Sequence, residues 1–477
     1  MSPTLIRRCR RPLALGVACA LALPWAVQAQ TSASSSASAA ASAREQQLEQ
    51  RVDQLEQELT QLKAMIQAQK QQAASQPAAA APAQSAAVAP AAESKPVFTT
   101  APGLSVALHG FISASAFSQS KSFAYGNGAN AEYPVAGSTG SLSGVDVRNT
   151  RFWLDFSGAK LTGDWTGGGR IEMDFFGGFN GTGAYSQQQP TPRLRQAYMD
   201  LINPDTGSTI RIGQQWELLF PLDNVTASLS HIAFPLGFGT GMIGWRFPGV
   251  VWMQDLNHGS EGTKWRLDLG AFEGSWNGPD GAVNNTNYLT AGNAGFRPQL
   301  EARLHAQGKD WLAYAVAHYS EVNLKGVNGA ASTPVKSSVK SVGYEVGGQW
   351  KPGPWVFRAN AYTGKGLGEV FGDLSQFGDI KDTGGYLQAG YNFTPNWSLT
   401  ALYATSKLNR NDVVRWMGNG STGLLRGRQA GLGVDYAAGS YELGLEWLYG
   451  WLDSTTNGTN TKTTSGNQLS VSALYHF

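Results

Sequence analysis

The sequence predicts an all-β protein: a sixteen-stranded antiparallel transmembrane β-barrel preceded by an N-terminal coiled-coil helix. Three features carry that expectation. The chain opens with an export signal and then has no apolar stretch near the ~20 residues of a membrane helix. Its body repeats alternating segments joined by connections that are in turn short and long. It ends on an alternating strand, NQLSVSALYHF at 467–477, closed by an aromatic residue.

Residues 1–29 have the form of a secretory signal peptide. Arg7, Arg8, Arg10 and Arg11 precede an apolar run from Pro12 to Leu23, and Val-Gln-Ala at 27–29 offers the small residues of a cleavage site. Cleavage removes both cysteines, Cys9 and Cys19, so the mature chain is expected to have no thiol or disulfide chemistry. It also removes the four arginines, taking Lys+Arg from 36 to 32 against 34 acids and the formal charge from +2 to −2. With a balance so close to zero, nothing in the net charge argues for nucleic acid or for a membrane surface, and no nucleic-acid partner is expected.

Residues 30–43 are a Ser/Ala spacer, and residues 44–72 carry a heptad seam. Val52, Leu59 and Ile66 fall at a positions and Leu48, Leu55 and Leu62 at d. The surrounding Ser, Ala and Gln offer no globular partner for that stripe, so it is expected to self-associate. Parallel alignment sets Arg51 against Glu56 and Glu58 against Lys63 of a neighbouring chain. Three heptads leave dimer and trimer both open. Residues 73–102 are an Ala/Pro linker, semi-rigid and extended.

Residues 103–477 form the expected barrel. Candidate strands lie at 104–117, 146–157, 164–176, 193–202, 209–216, 244–255, 263–273, 297–306, 311–320, 340–350, 355–363, 383–393, 397–407, 425–436, 441–452 and 467–477. Short turns such as 307–310, 351–354, 394–396 and 437–440 alternate with long loops such as 118–145, 217–243 and 364–382, the habit of membrane barrels. Trp165, Trp265, Trp311, Trp350, Trp355, Trp397, Tyr436 and Tyr441 sit at or beside short turns, where an interfacial girdle would place them. A barrel closes by pairing its last strand with its first, so 467–477 is expected beside 104–117, with Phe477 in the girdle. That terminal aromatic is similar to the signal read by the barrel-assembly machinery of the bacterial outer membrane.

Three stretches, GRIEMDFFGG at 169–178, RLRQAYMDL at 193–201 and IRIGQQWELLFPL at 210–222, follow a coiled coil and an Ala/Pro linker. In that order they resemble the DcaP-like trimeric outer-membrane porins. The resemblance implies a homotrimer in outer-membrane lipid, the coiled coil in the periplasm, and pores passing small anionic solutes such as dicarboxylates. It also implies a loop folded into each lumen. The loop in that position, 217–243, carries Glu217, Asp223 and His231 in a largely apolar or small setting. Porins selective for phosphate or pyrophosphate share the layout and stand as an alternative. So does a structural anchor or adhesin with a plugged barrel.

Alternation sorts the wall independently. With Phe152, Leu154 and Phe156 outward, Arg151 and Asp155 face the lumen; with Ile171, Met173 and Phe175 outward, Arg170, Glu172 and Asp174 do. The same reasoning turns Arg211, Arg246, Arg266, Arg303 and Arg358 inward. Trp245 and Phe247 are then expected outward, and Arg193 and Arg195 share parity with the apolar Ala197, Met199 and Leu201, so alternation does not turn them inward. An inward arginine ladder suits carboxylates and phosphates; inward arginines also brace a wall by pairing with its acids. His109, His231, His258, His305, His318 and His476 show no metal-ligand spacing, and neither metal nor cofactor is expected. No Gly-x-Ser-x-Gly elbow appears, so an enzyme is not expected.

Overall fold

The fold is seen in a computed structural model that describes residues 97–101, 103–124, 129–177, 190–273, 297–323 and 335–477. The signal segment, spacer, heptad seam from Leu48 to Ile66 and most of the linker lie outside the described residues.

The strands are β1 (Val97–Ala101), β2 (Leu104–Gln119), β3 (Leu142–Asp146), β4 (Arg151–Lys160), β5 (Thr166–Asp174), β6 (Arg193–Asn203), β7 (Ser208–Trp216), β8 (Arg246–Asp255) and β9 (Lys264–Phe272). They continue as β10 (Gln299–Gln307), β11 (Trp311–Asn323), β12 (Ser338–Trp350), β13 (Trp355–Lys365), β14 (Lys381–Asn392), β15 (Trp397–Leu408), β16 (Leu424–Ala438), β17 (Tyr441–Ser454) and β18 (Lys462–His476). Consecutive strands pair antiparallel, except that β3 and β4 both pair with β2, and β18 pairs with β2 to close the ring. β3 and β4 both lie along β2, at Ser115–Gln119 and Ser105–Phe111, and so form one interrupted strand. The barrel therefore has sixteen strands. β1 is an addition that the sequence reading missed: it runs beside residues 104–107 of β2, on the edge that β18 leaves free, and so covers an open strand edge.

Alternation explains the wall. Along β17, Leu443, Leu445 and Trp447 are exposed while Glu442, Glu446 and Leu448 are buried. Along β18, Leu469, Val471 and Tyr475 face out, and Gln468, Ser470 and Ser472 face in. At the short-turn end Trp311 stands opposite Trp350, Trp397 opposite Tyr436 and Tyr441 opposite Tyr475. These rings form the expected girdle.

Phe477 exchanges two backbone hydrogen bonds with Gly110, of 3.0 and 3.2 Å. Its ring lies across that glycine, where a Cβ would come within 2.5 Å of it. Closure thus needs a residue without a side chain opposite the terminal aromatic.

Candidate functional site

The loop after β7 enters the barrel. Its backbone is tied in turn to side chains from strands on several sides: Leu218 N–H donates to Glu301 of β10 (2.5 Å), Ala227 N–H to Gln388 of β14 (2.7 Å), Leu229 N–H to Glu446 of β17 (2.9 Å) and Gly237 N–H to Gln429 of β16 (2.8 Å). Asn224 donates to the Ala359 carbonyl (2.8 Å), and Tyr386 donates to the Asn224 carbonyl (2.6 Å). The break between β3 and β4 frees Asn149 to reach inward, where it donates to the Ser230 carbonyl and accepts from Ala233 N–H. Buried backbone groups need partners, and here long polar wall side chains supply them.

Two other loops meet it. His231 sits with Nε2 3.1 Å from the backbone of Ala131 in the loop after β2. Gly244 N–H donates to Val370 in the loop after β13 (2.7 Å). Phe238 and Trp245 pack on Phe371 of that same loop, with centroids 4.9 and 4.6 Å apart. Phe371 and, past an extended Gly372, Asp373, Leu374 and Ser375 all have φ of 50–57°, a left-handed conformation that bulky residues resist.

Beside the loop lies a basic wall. Arg195 places Nε 2.5 Å from Glu172 and Nη1 2.8 Å from Asp174; Arg193 reaches Asp174 at 2.6 Å. Arg151 is 3.9 Å from Glu172 and donates to the Ile232 carbonyl of the loop (3.2 Å). Arg170 forms a two-pronged pair with Asp155 and Arg148 pairs with Asp146. Arg246 has no ion pair among the described residues; its guanidinium lies 4.7 Å from the Trp216 ring and 4.2 Å from the Trp245 ring. Six arginines therefore stand beside four carboxylates: Arg148, Arg151, Arg170, Arg193 and Arg195 share Asp146, Asp155, Glu172 and Asp174, and Arg246 pairs with none of them. The surplus sits among the rings of Phe176, Phe234 and Trp245, each within 5.8 Å of Arg193.

Two expectations are corrected here. Arg193 and Arg195 do face inward, because β6 has a bulge: Glu172 pairs with Gln196 and Met173 with Leu194, leaving Arg195 as the extra residue. One added residue reverses alternation for the residues before it. Trp245 and Phe247 are inside as well, Phe247 packing with Phe272, Leu218 and Tyr314, since β8 begins where the inward loop returns.

The remaining arginines of the expected ladder separate by partner. Arg211 is held by Asp200 through two bonds of 2.8 Å, and Arg266 and Arg303 share Asp268. Arg358 has one long hydrogen bond to Gln388, 3.4 Å, and no ion pair among the described residues. Of the loop residues, Glu217 accepts from Trp245 N–H (2.8 Å) and bonds Gln299, and His231 bonds Ser230 (2.8 Å) beside Glu446: both fasten the loop. Asp223 lies half-buried, its carboxyl raised above the ordinary range by burial against the pull of Lys351, Arg266 and Arg303.

Sequence spacing also missed a cluster. Glu217, Glu301 and His318 bring ligand atoms within 4.8 Å of one another, from a loop and two strands. Two carboxylates and an imidazole suit a divalent cation. Here His318 already bonds Glu301 (2.8 Å) and Ser341 (2.9 Å), so the group also serves as a clasp at the loop's start.

No protein-family model matches the chain, and no curated protein matches it in sequence. Among solved structures the fold is similar to that of the outer membrane channel DcaP of Acinetobacter baumannii: TM-score 0.58 and 19% identity, covering 80% of this chain and 99% of that one. Salmonella typhi OmpF, solved in complex with daunomycin, aligns with TM-score 0.48 and 11% identity over 80% of this chain and all of its own. OmpT of Vibrio cholerae aligns with TM-score 0.47 and 12% identity over the same shares. The first likeness bears out, at the level of fold, the resemblance carried by residues 169–222.

Proposed function

We propose that the chain is an outer-membrane porin through which small hydrophilic anions, dicarboxylates foremost, diffuse passively past the arginine wall of β4, β5, β6 and β8. The observation that carries this reading is the surplus of guanidinium over carboxylate beside the inward loop. A narrow passage responds to the charges that line it rather than to the total of the chain, and low-dielectric walls concentrate their field. Aromatic rings under Arg193 and Arg246 add an apolar surface, which suits carboxylates joined by a hydrocarbon spacer. Phosphate or pyrophosphate would use the same guanidinium groups without that surface.

In this reading the long loops face outward, the short turns face the periplasm, and a homotrimer is tied together by the heptad seam at residues 44–72. Crosslinking the full-length protein tests the last point. Wild type should give a trimer ladder, and Leu55→Asp with Leu62→Asp should weaken it, because each change puts an unpaired charge in the seam.

Liposome swelling over a series of anionic, neutral and cationic solutes of equal size tests the porin. Faster entry of succinate than of neutral or cationic solutes of its own size supports it; no swelling with any solute contradicts it. A second reading, a gated or plugged barrel, is favoured by the left-handed residues Phe371 and Asp373–Ser375, of which Phe371 packs on Trp245. Strained backbone of this kind costs about 1–3 kcal/mol per residue and is found at switch regions. Shortening that loop raises conductance in a gated barrel and leaves it unchanged in an open one.

A further inference from the structure

On its outer face the barrel carries a row of cations that the lumen does not use. Five consecutive strands each have a girdle aromatic and, ten residues along, a basic residue: Trp350 and Lys340 on β12, Trp355 and Lys365 on β13, Tyr391 and Lys381 on β14, Trp397 and Lys407 on β15, Tyr436 and Arg426 on β16. An even spacing keeps both on one face of the strand. At a rise of ~3.3 Å per residue and a tilt near ~40°, ten residues lift the cation about 25 Å above the girdle, the height of a barrel's apolar band.

The row is packed against its own repulsion. Lys365 stands opposite Lys381, and Lys407 opposite Arg426. Like charges in such positions destabilise a sheet. Nearby carboxylates are committed elsewhere: Asp379 to Lys336, Lys365 and Arg415, Asp412 to Arg415, Asp453 to Arg428, and Glu321 to Arg297. Among the described residues none forms an ion pair with Lys381, Lys407 or Arg426, and Arg426 Nε is buried without a hydrogen-bond partner. Below the row Tyr344, Leu387, Tyr403 and Leu432 are exposed and apolar.

We propose that this row binds the phosphate groups of an anionic lipid of the outer leaflet, whose acyl chains lie along the apolar band beneath. The proposal rests on the outer-membrane reading, with the long loops outward. Cations held in opposed pairs at the upper border of the band need an anion at that height, and lipid phosphates stand there. Ammonium and guanidinium groups at a membrane surface gain from such phosphates.

The full-length protein in zwitterionic detergent is titrated with bisphosphorylated lipid A, with the same lipid dephosphorylated, and with inorganic phosphate. Wild type should prefer the phosphorylated lipid by roughly tenfold or more, and the triple variant Lys381→Gln, Lys407→Gln, Arg426→Gln should lose that preference. Lys407→Gln alone should lose part of it, which keeps the test sound if the triple variant assembles poorly. Equal affinity of wild type for both lipids, an unchanged preference in the variants, or displacement of the lipid by millimolar inorganic phosphate would overturn the proposal. Conductance is read separately: a conducting barrel without lipid preference sinks this inference alone, and a lipid-binding barrel that never conducts sinks the porin reading alone.

Discussion

Arg195 and Glu172 form a buried ion pair across β6 and β5, Nε to Oε1 2.5 Å, with both side chains 2% exposed. A bulge creates it, and Asp174 at 2.8 Å completes it. Removing one partner of such a pair strands the other charge, at a cost of about 3–5 kcal/mol. Arg195→Met is therefore expected to lower sharply the thermal midpoint of the detergent-solubilised barrel. An unchanged midpoint would mean that the pair contributes little.

Arg246 and Arg211 should behave as opposites. Arg211 is tied to Asp200, so Arg211→Gln should lower stability and leave ion preference nearly intact. Arg246 has rings for neighbours and, among the described residues, no acid partner. Arg246→Gln should shift stability by no more than about 1 kcal/mol, since lost cation–π contact offsets relief of an unpaired buried charge. Its effect should appear as a smaller anion preference in single-channel recordings. The reverse pattern would show that the paired arginines, not the unpaired ones, set the field.

At the long-loop end Asp379 fastens the loops after β13 and β15. Burial opposes its ionisation, yet hydrogen bonds from Lys336, Trp416 and Lys365 outweigh it and lower its pKa from 3.8 to about 2. A lowered folded pKa means a contribution present in full above about pH 4 and lost as the pH falls through about 2. Pepsin should therefore cut these loops faster at pH 2 than at pH 4, beyond the change in its activity on an unfolded control. Asp379→Asn should abolish that extra step.

Gly110 and Phe477 make a paired prediction for assembly. Deleting Phe477 removes the last two hydrogen bonds of closure, and Gly110→Val drives a side chain into the Phe477 ring. Both should reduce the yield of heat-modifiable barrel while export proceeds. Normal yields from both would remove Phe477 from any role in assembly.

Strand positions are legible in the sequence because alternation, turn residues and girdle aromatics act over a few neighbouring residues. The β18 face from Leu469 to Tyr475 and the closure onto β2 follow from those signals alone. Arg195 was not legible, because a bulge leaves no mark in composition and reverses every assignment on its side. Trp245 and Phe247 escape alternation for a related reason: an inward loop covers them, and nothing near them in sequence announces it. The clasp of Glu217, Glu301 and His318 joins residues up to about a hundred positions apart, a relation only closure of the barrel creates. The strand break that aims Asn149 at Ser230 belongs to the same class. The ten-residue spacing from Trp350 to Lys340, with its four repeats, is by contrast legible in the sequence alone.

The reversal potential of single channels in a potassium chloride gradient tests most directly whether the lumen prefers anions. Wild type should reverse on the chloride side of zero, and Arg246→Glu and Arg358→Glu should each move it toward potassium. A dicarboxylate added to one side should block wild type more than either variant. Reversal on the potassium side in wild type, or identical potentials in wild type and both variants, would contradict an anion-preferring pore.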